Sequence, residues 1–383
     1  MKQPPIDASD NSSSGYDLQY EGQVVLVFEG GGALGAYQLG VYQALHESGI
    51  EPDWVIGTSI GAINAAIIVG NRPENRMDRL NQFWETVQAP TSAWPVGAAM
   101  LQSMMNMNTV LSGVDGFFKP NQIALLNNKA KLGTYQAGYY DTSPLAKTLG
   151  KLVDFEYVNR ADTTRLSLGA VNVKTGKMRY FDSRDDTISV ANVMASGALP
   201  PAFPAVEVDG EPYWDGGIYS NTPVETLMND RPRLNSLIFA AHLWHAEGDA
   251  PQSVWDAMGR GKDIQFASRV DNFVEEERKL HRMRHIINLL GAHIPAAAKE
   301  DPAVREMLSW GCSTTMHLCR LFAPRIENED QSKDIDFSAQ GIRQRREAGY
   351  ANTMKMLQAR PWCKPHSVLE GVLMHDSYVL SPV

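Results

Sequence analysis

Ser59 lies at the centre of the sequence Gly-Thr-Ser-Ile-Gly, which runs from Gly57 to Gly61. A short apolar run precedes the serine and an apolar helical pattern follows it, so the sequence predicts a sharp strand-to-helix turn. Such a turn strains the backbone and presents the hydroxyl above the sheet, and glycines on either side avoid a collision across the corner. The dipole of the helix that begins at Ile60 favours negative charge beside the serine. Ser59 is therefore a candidate nucleophile.

A second glycine turn can supply the hydrogen-bond donors that a nucleophilic serine requires. It reads GGGALG over residues 30–35 and also lies between an apolar run and a helical pattern. N–H groups at such a helix N-terminus bind anions, as an oxyanion hole does when negative charge develops on a substrate. The carboxyl ends of parallel strands meet at one edge of a sheet, so the two turns are predicted to be neighbours. The candidate oxyanion hole comprises Gly30, Gly31, Gly32, Ala33 and Gly35.

The same turn also fits the Gly-x-Gly-x-x-Gly pattern of dinucleotide-binding proteins. That pattern needs an acidic residue at the C-terminal end of the next strand, where it binds a ribose hydroxyl. Here Asp53 stands at the start of that strand, and the far end leads into Thr58 and Ser59. A non-catalytic dinucleotide-binding module is thus an alternative interpretation that lacks its acidic partner.

The sequence Asp-Gly-Gly that starts at Asp215 supplies a candidate base. Gly216 and Gly217 allow the backbone to turn tightly and to approach another element. Trp214, Phe203 and several prolines can restrict water around the carboxyl group. Desolvation raises the pKa of a carboxyl group and makes it a better base, so this aspartate is a candidate partner for the serine.

Two histidines offer a different arrangement. His242 and His245 follow the apolar run SLIFAA, and the chain order serine, aspartate, histidine is that of the α/β-hydrolases. A triad of Ser59, Asp215 and either histidine is therefore an alternative. Against it, the oxyanion turn of an α/β-hydrolase normally lies much further ahead of the nucleophile.

The segments around these residues alternate between short apolar runs and helical patterns, which is typical of an α/β fold. The sequence predicts a mainly parallel central sheet flanked by helices over residues 23–249, preceded by a flexible tail over residues 1–22. Beyond it the patterns are helical and rich in Arg, Lys and His, with no strand pattern between them. Residues 250–383 are therefore predicted to form a helical C-terminal extension.

A Met-rich segment, residues 95–128, contains the sequence Gly-Phe-Phe. Methionine fills gaps in cores, so one interpretation of this segment is helical core packing. The other is a flexible apolar wall for an acyl chain.

Together, the GGGALG turn, the GTSIG turn and the Asp-Gly-Gly sequence resemble the motifs of the patatin-like phospholipases, over roughly residues 23–245. The stretch ASGALPPAFP before Asp215 is similar to a loop of the same family. The resemblance implies a patatin-like fold and a serine acyl hydrolase of phospholipase A or lysophospholipase type. Asp215 would accept the proton of Ser59, and the N–H groups of Gly31 and Gly32 would hold the oxyanion. It implies a phospholipid or other acyl-ester lipid as substrate, and no metal or organic cofactor.

Two residues depart from the family pattern. Many members carry an aspartate before the glycines and a Lys or Arg inside the turn, where this chain has Glu29 and Leu34. We therefore expect oxyanion stabilisation to rest on backbone donors and the helix dipole.

Composition restricts the class of protein further. The net charge of −9 argues against nucleic-acid binding, which needs a surplus of Lys and Arg. The three cysteines, and the lack of a signal-like or membrane-length apolar run, favour a cytoplasmic protein. The basic C-terminal patterns are predicted either to contact an anionic membrane surface peripherally or to be solvated helix faces. They contain Arg278, Lys279, Arg282, Arg284, His285, Arg343, Arg345 and Arg346. No oligomeric state is predicted.

Overall fold

The computed structural model describes residues 18–89, 109–267, 270–326, 329 and 331–378. The strands within these residues are β1 (Gln23–Phe28), β2 (Trp54–Thr58), β3 (Lys119–Pro120), β4 (Tyr140–Asp141), β5 (Arg165–Asn172), β6 (Met178–Asp182), β7 (Val206–Val208), β8 (Glu211–Asp215), β9 (Ser236–His242), β10 (Met316–Phe322) and β11 (Val372–Asp376). In this part of the chain, the central sheet has the order β11-β10-β9-β1-β2-β5-β8-β7, and β6 also pairs with β5.

The helices that cover the sheet are spread along the whole described chain. They are α1 (Ala36–Glu47), α2 (Ile60–Val69), α3 (Pro73–Val87), α4 (Gln122–Leu126), α5 (Ser143–Leu152), α6 (Phe155–Val158), α7 (Val190–Ser196), α8 (Val224–Met228), α9 (Val254–Phe266), α10 (Val270–Ala292), α11 (Ala296–Lys299), α12 (Pro302–Ser309) and α13 (Ala339–Ala359). Short 3-10 turns occur at Gly32–Gly35, Gly216–Ile218, Lys333–Ile335 and Pro361–Cys363.

The predicted mainly parallel sheet flanked by helices is confirmed. The strands from β11 to β5 are parallel neighbours, whereas β6, β7 and β8 run antiparallel to the strands they pair with. Successive side chains of β1 point to opposite faces of the sheet and therefore pack into two different hydrophobic clusters. Leu26 and Phe28 pack with α1, α2 and α13, and Val25 and Val27 pack with α8 and α10.

The C-terminal region is largely helical, as predicted, but the expectation of no strands there was wrong. Both β10 and β11 lie after residue 250, and β10 pairs in parallel with β9. The part of the chain after residue 250 therefore shares one sheet with the part before it.

Helix α13 packs closely on α1, which follows the glycine turn. A Cβ atom on Gly40 would lie 1.9 Å from the Arg346 carbonyl oxygen, and one on Gly349 would lie 2.0 Å from the Tyr37 carbonyl oxygen. Glycine on both helices therefore permits an approach that any larger residue would prevent. This contact ties the C-terminal region to the first helix of the fold.

Most of the predicted N-terminal tail, residues 1–17, lies outside the described residues. The residues that follow are in contact with the C-terminal region: the Trp362 indole N–H donates to the Leu18 carbonyl oxygen at 3.0 Å, and the Tyr20 ring meets His317 edge to face. Across the described part of the chain, the structure contains no helix with the length and apolar character needed to cross a membrane.

Candidate active site

Ser59 occupies the turn between β2 and α2. Its φ of 57° and ψ of −124° place it in a region that residues with side chains rarely adopt. The neighbouring glycines make the turn possible: a Cβ atom on Gly57 would lie 2.4 Å from the Gly61 carbonyl oxygen, and one on Gly61 would lie 2.3 Å from the Phe28 carbonyl oxygen. The sequence thus forms the sharp corner that a nucleophilic serine requires.

The C-terminal end of α7 holds this turn through hydrogen bonds. The Ser59 N–H donates to the hydroxyl and the carbonyl oxygen of Ser196, both at 3.1 Å. The Ser196 hydroxyl in turn donates to the Gly169 carbonyl oxygen in β5 at 2.6 Å. The motifs alone predict no role for Ser196, although it lies in the ASGALPPAFP stretch that carries the family resemblance.

Asp215 is brought to Ser59 by β8, a strand that runs antiparallel to its neighbour β5. It is the last residue of β8 and stands opposite Ala170 of β5, while Thr58 at the end of β2 stands opposite Gly169. Because β8 enters the sheet beyond the ends of the parallel strands and runs back inward, its last residue arrives at the level of Ser59. Gly216 fits closely here, since its Cβ would lie 2.6 Å from the Gly169 carbonyl oxygen.

The Asp215 carboxyl group is buried, with 1% of the residue exposed. Burial raises its pKa to about 7, and hydrogen bonds from the Ser59 side chain and the Gly217 N–H act in the opposite direction. The Gly217 N–H lies 2.7 Å from Oδ1. The structure therefore brings the two predicted side chains into direct contact and gives the aspartate the pKa of a base that works near neutrality.

The glycine turn lies beside Ser59 and is held by side chains from distant elements. The Asn221 side chain accepts from the Gly30 N–H and donates to the Gly30 carbonyl oxygen, both at 3.1 Å. The Trp244 indole N–H donates to the same carbonyl oxygen at 2.7 Å. Neither residue was singled out in the sequence for this role, because both are far from the turn along the chain.

These contacts divide the five predicted oxyanion-hole residues into two groups. The Gly30 N–H is taken by Asn221, and Gly35 packs against Ile60, 2.6 Å from where its Cβ would be. Both therefore support the turn. Gly31, Gly32 and Ala33 lie at the start of the 3-10 turn, and no acceptor for their N–H groups occurs within the described ranges.

Glu29 anchors the glycine turn from beneath. It is fully buried, accepts from the Thr222 hydroxyl at 2.9 Å and also accepts from the Leu243 N–H. Burial raises its pKa to about 8, although these hydrogen bonds lower it. Burial therefore favours the uncharged form of the carboxyl group that replaces the family's aspartate. Leu34, the other departure, is a buried apolar side chain.

Ser59, Asp215 and the glycine turn open into one cavity with about 950 Å³ of empty space, including its mouth. Its wall is mostly apolar and aromatic, as suits an acyl chain. The aromatic residues of the wall are Phe117, Phe118, Tyr140, Phe203, Trp244, Phe266 and Phe337. Two of these, Phe117 and Phe118, belong to the Gly-Phe-Phe sequence of the Met-rich segment. The methionines of that segment, Met100, Met104, Met105 and Met107, lie outside the described residues.

The C-terminal region forms part of this wall, through Asp334, Ile335 and Phe337. The Asp334 carbonyl oxygen would lie 2.2 Å from a Cβ on Gly32, so the 3-10 turn Lys333–Ile335 packs directly on the glycine turn. These residues could not be identified from the sequence, because nothing local in it indicates contact with a turn that lies about 300 residues away.

Lys333 holds this C-terminal turn in place. Its buried ammonium group pairs with Asp263 of α9 at 2.5 Å and lies 5.0 Å from the centre of the Trp244 ring. Trp244 also contacts Gly30, as described above. A continuous set of contacts therefore joins α9, the C-terminal turn and the glycine turn.

The two candidate triad histidines lie elsewhere. The His242 ring stacks on Phe322, and burial together with Arg320 lowers its pKa to about 3. His245 contacts the Ala323 carbonyl oxygen at 2.6 Å. Neither ring is part of the wall of the cavity that holds Ser59 and Asp215, so the geometry does not favour the triad.

The dinucleotide alternative also lacks support in the geometry. Asp53 accepts from the Val24 N–H at 2.7 Å, at the opposite end of β2 from the glycine turn. In the described ranges, no group of three or more His, Cys, Asp or Glu side chains has a metal-binding arrangement.

Comparisons with known proteins agree with the sequence motifs. A family model described as patatin-like phospholipase matches residues 26–228, and a second, described as patatin phospholipase, matches residues 264–368. The lysophospholipase NTE1 of Saccharomyces cerevisiae is 24% identical over 304 residues, which cover 74% of this chain and 15% of that protein. The patatin-like phospholipase domain-containing protein 7 of Rattus norvegicus is 33% identical over 262 residues, which cover 67% of this chain and 17% of that protein. The chain thus spans less than a fifth of the length of these relatives.

Among solved structures, VipD of Legionella pneumophila matches with a TM-score of 0.35 and 18% identity, over 89% of this chain and 67% of that one.

Proposed function

Because the chain belongs to the patatin-like phospholipase family, we propose that it is a serine acyl hydrolase that cleaves fatty-acyl esters of lipids, in the manner of a phospholipase A or lysophospholipase. One observation carries the proposal: the side chain of Ser59, at a strained turn, contacts the buried carboxyl group of Asp215 in an apolar cavity. These two residues form the proposed catalytic dyad.

In the first half of the reaction, the Ser59 hydroxyl attacks the ester carbonyl carbon and Asp215 accepts its proton. The pKa of Asp215, about 7, makes ionised carboxylate available near neutral pH, and its contact with Ser59 removes the need for a histidine. Negative charge on the carbonyl oxygen is stabilised by the N–H groups of Gly31 and Gly32, with Ala33 and Ile60 beside them. The alcohol or lysolipid then leaves with a proton from Asp215.

In the second half, water hydrolyses the acyl-enzyme. Asp215 accepts a proton from the water as it attacks, and Ser59 recovers its own when the fatty acid leaves. The same backbone donors stabilise the second oxyanion. The chain has no Lys or Arg at position 34, so these donors and the dipole of α2 supply the stabilisation.

Peripheral contact with a lipid surface is part of the proposal, but two of the basic residues named for it are buried. Arg345 is buried against Glu329 and Asp336, and Arg284 is buried near Glu277. These two arginines are therefore engaged inside the protein.

The exposed apolar side chains near the cavity are better suited to a lipid surface. Val110 belongs to the cavity wall and is 41% exposed, and next to it Leu111 is 67% exposed. The backbone of Val110 also accepts from the Tyr140 hydroxyl of the wall. We assign the membrane-facing rim to these residues.

The dyad is tested with Ser59→Ala and Asp215→Asn in the full chain. We expect both to reduce hydrolysis of a short-chain nitrophenyl ester and of dioleoylphosphatidylcholine by about 10³-fold or more. Labelling by a fluorophosphonate should disappear in Ser59→Ala. In the unmodified protein, kcat/KM should rise as the pH increases through about 7, because Asp215 acts as a base only when ionised.

His242→Gln and His245→Gln are the matched controls, because they remove the histidines of the competing triad. Both should keep most of the turnover. Loss of activity in either one, with the fold retained, would replace the dyad by the triad. Full labelling in Ser59→Ala would refute the assignment of the nucleophile.

A further inference from the structure

The charges in the cavity wall restrict the kind of ester that the cavity can hold. Among the wall residues that the structure describes, Asp215 and Asp334 carry carboxyl groups, and none is Lys, Arg or His. The described wall therefore offers no cation to an anionic group.

The ammonium group of Lys262 lies beside this wall, but it is already bonded to Asp334. The Lys262 ammonium group donates to both carboxylate oxygens of Asp334, at 2.8 and 2.9 Å, and to the Gln331 carbonyl oxygen at 2.9 Å. These contacts use all three donors of the ammonium group. The Lys262 side chain is 35% exposed and that of Asp334, a residue of the cavity wall, is 21% exposed, so the pair is partly open to solvent.

A phospholipid would bring an anion to this place. Its phosphodiester is only a few covalent bonds from the acyl ester, so it must lie in the cavity or at its mouth when the ester carbon reaches Ser59. There the phosphate would lose water, meet the Asp334 carboxylate and find Lys262 already bonded. Removing the phosphate from water without a hydrogen-bond donor is unfavourable, and Lys262, whose charge Asp334 neutralises, has no free N–H group to offer. An uncharged acylglycerol does not incur this cost.

Building on the proposed hydrolase activity, we infer that the preferred substrates are uncharged acylglycerols rather than phospholipids, and that the Lys262–Asp334 pair sets this preference. In the reaction the ester C–O bond breaks. Water supplies the hydroxyl group of the released fatty acid and the proton of the released glycerol oxygen, so no other reactant is required.

The inference is tested by measuring kcat/KM of the full-length protein for esters with the same acyl chains. Dioleoylglycerol, dioleoylphosphatidylcholine and dioleoylphosphatidylglycerol are presented in the same detergent micelles. We expect dioleoylglycerol to be cleaved about tenfold or more faster than either phospholipid, with the anionic phosphatidylglycerol slowest. A phospholipid cleaved as fast as dioleoylglycerol would overturn the inference.

Two variants should shift the selectivity in opposite directions. Asp334→Asn removes the carboxylate and frees Lys262, so the phospholipid-to-diacylglycerol ratio of kcat/KM should rise by about tenfold. Lys262→Gln leaves Asp334 unpaired, so the ratio should fall. Asp162→Asn is the matched control, because it breaks an exposed pair with Arg160 outside the cavity. A purely structural effect of Asp334→Asn would change both substrates alike and leave the ratio constant, which would refute a role for the pair.

Two further results separate the possible failures. If the fluorophosphonate and the nitrophenyl ester show an active Ser59 but phospholipids are preferred, the inference fails and the proposed hydrolase stands. If neither reagent reacts, the proposed function itself fails.

Arg269 lies outside the described residues, so Arg269→Gln is assayed in parallel. Unchanged selectivity supports the inference, and a selective loss of phospholipid turnover contradicts it.

Discussion

The segment from β1 to α2 and the C-terminal region meet at the same cavity but are encoded in different ways. In the first segment, about 45 consecutive residues contain both turns of the proposed site, and each turn follows directly from its own local sequence. In the C-terminal region, the strands, α13 and the turn at Lys333–Ile335 acquire their positions only from contacts with distant residues. The two turns of the proposed site are therefore specified locally, whereas the position of Asp215 and the shape of the cavity are specified by long-range packing.

The comparison predicts that the C-terminal region is needed for folding. A chain ended after residue 249 loses β10 and β11, and it exposes the edge of β9 and the apolar residues packed under α13. We expect the stability lost with these buried contacts to exceed the usual net stability of a domain, about 5–15 kcal/mol. We therefore expect no cooperative thermal unfolding transition by circular dichroism. A shortened chain that melts cooperatively and hydrolyses the nitrophenyl ester would show that the region is a separable extension.

A smaller effect should come from the buried pair that holds the C-terminal turn. Lys333→Met leaves the Asp263 carboxylate buried without its partner, which should lower the free energy of unfolding by about 3 kcal/mol. Chemical denaturation measures this change. The double variant with Asp263→Leu should recover most of the loss, because it removes the remaining charge.

Lys174→Met is the control for this pair, since Lys174 and Glu211 form an exposed ion pair at 3.1 Å. Its effect should be about 0–1 kcal/mol. Equal effects for the two lysines would mean that Lys333 does not anchor the turn.

A smaller effect than that of Lys333→Met should appear at Asp215, and it should be stabilising. In the folded protein the pKa of Asp215 is raised to about 7 from 3.8, so the fold favours the protonated form. The contribution of this group is fully present at acidic pH and is lost as the pH rises from about 4 to about 7. Asp215→Asn cannot ionise, so at pH 8 it should unfold with a free energy on the order of 2 kcal/mol higher than the unmodified protein.

Melting curves at pH 4 and pH 8 check this prediction. The difference between the two proteins should shrink at pH 4, where both side chains are uncharged. Asp162→Asn, at an exposed position, should show no such pH dependence. A destabilised Asp215→Asn at pH 8 would show that burial does not penalise the carboxylate.

Much of the fold and the site could be predicted from local sequence. Buried strands followed by glycine turns indicate a parallel sheet, and the turns around Gly31 and Ser59 then have to lie at the same edge. Asp215 could be proposed from its glycines and apolar neighbours together with the resemblance to the patatin-like phospholipases. Its route to Ser59 could not, because the antiparallel direction of β8 depends on pairing with β5.

The C-terminal strands could not be predicted, because polar residues interrupt their apolar pattern. Arg320 of β10 bonds Asp376 of β11 at 2.6 and 2.7 Å, and His317 contacts His375 at 3.0 Å. These polar side chains find partners only when the two strands lie side by side. A strand pattern read one segment at a time therefore fails here.

Because β8 pairs with β5, the proposed site should not tolerate the insertion or deletion of a single residue within β8. Side chains alternate between the two faces of a strand, so one residue inserted within β8 would turn the Asp215 carboxyl group away from Ser59. The Asp209–Gly210 bend between β7 and β8, where both residues have positive φ, lies outside that pairing. Homologous chains should therefore vary in length at this bend while keeping the number of residues from the first β8 pair to the aspartate constant.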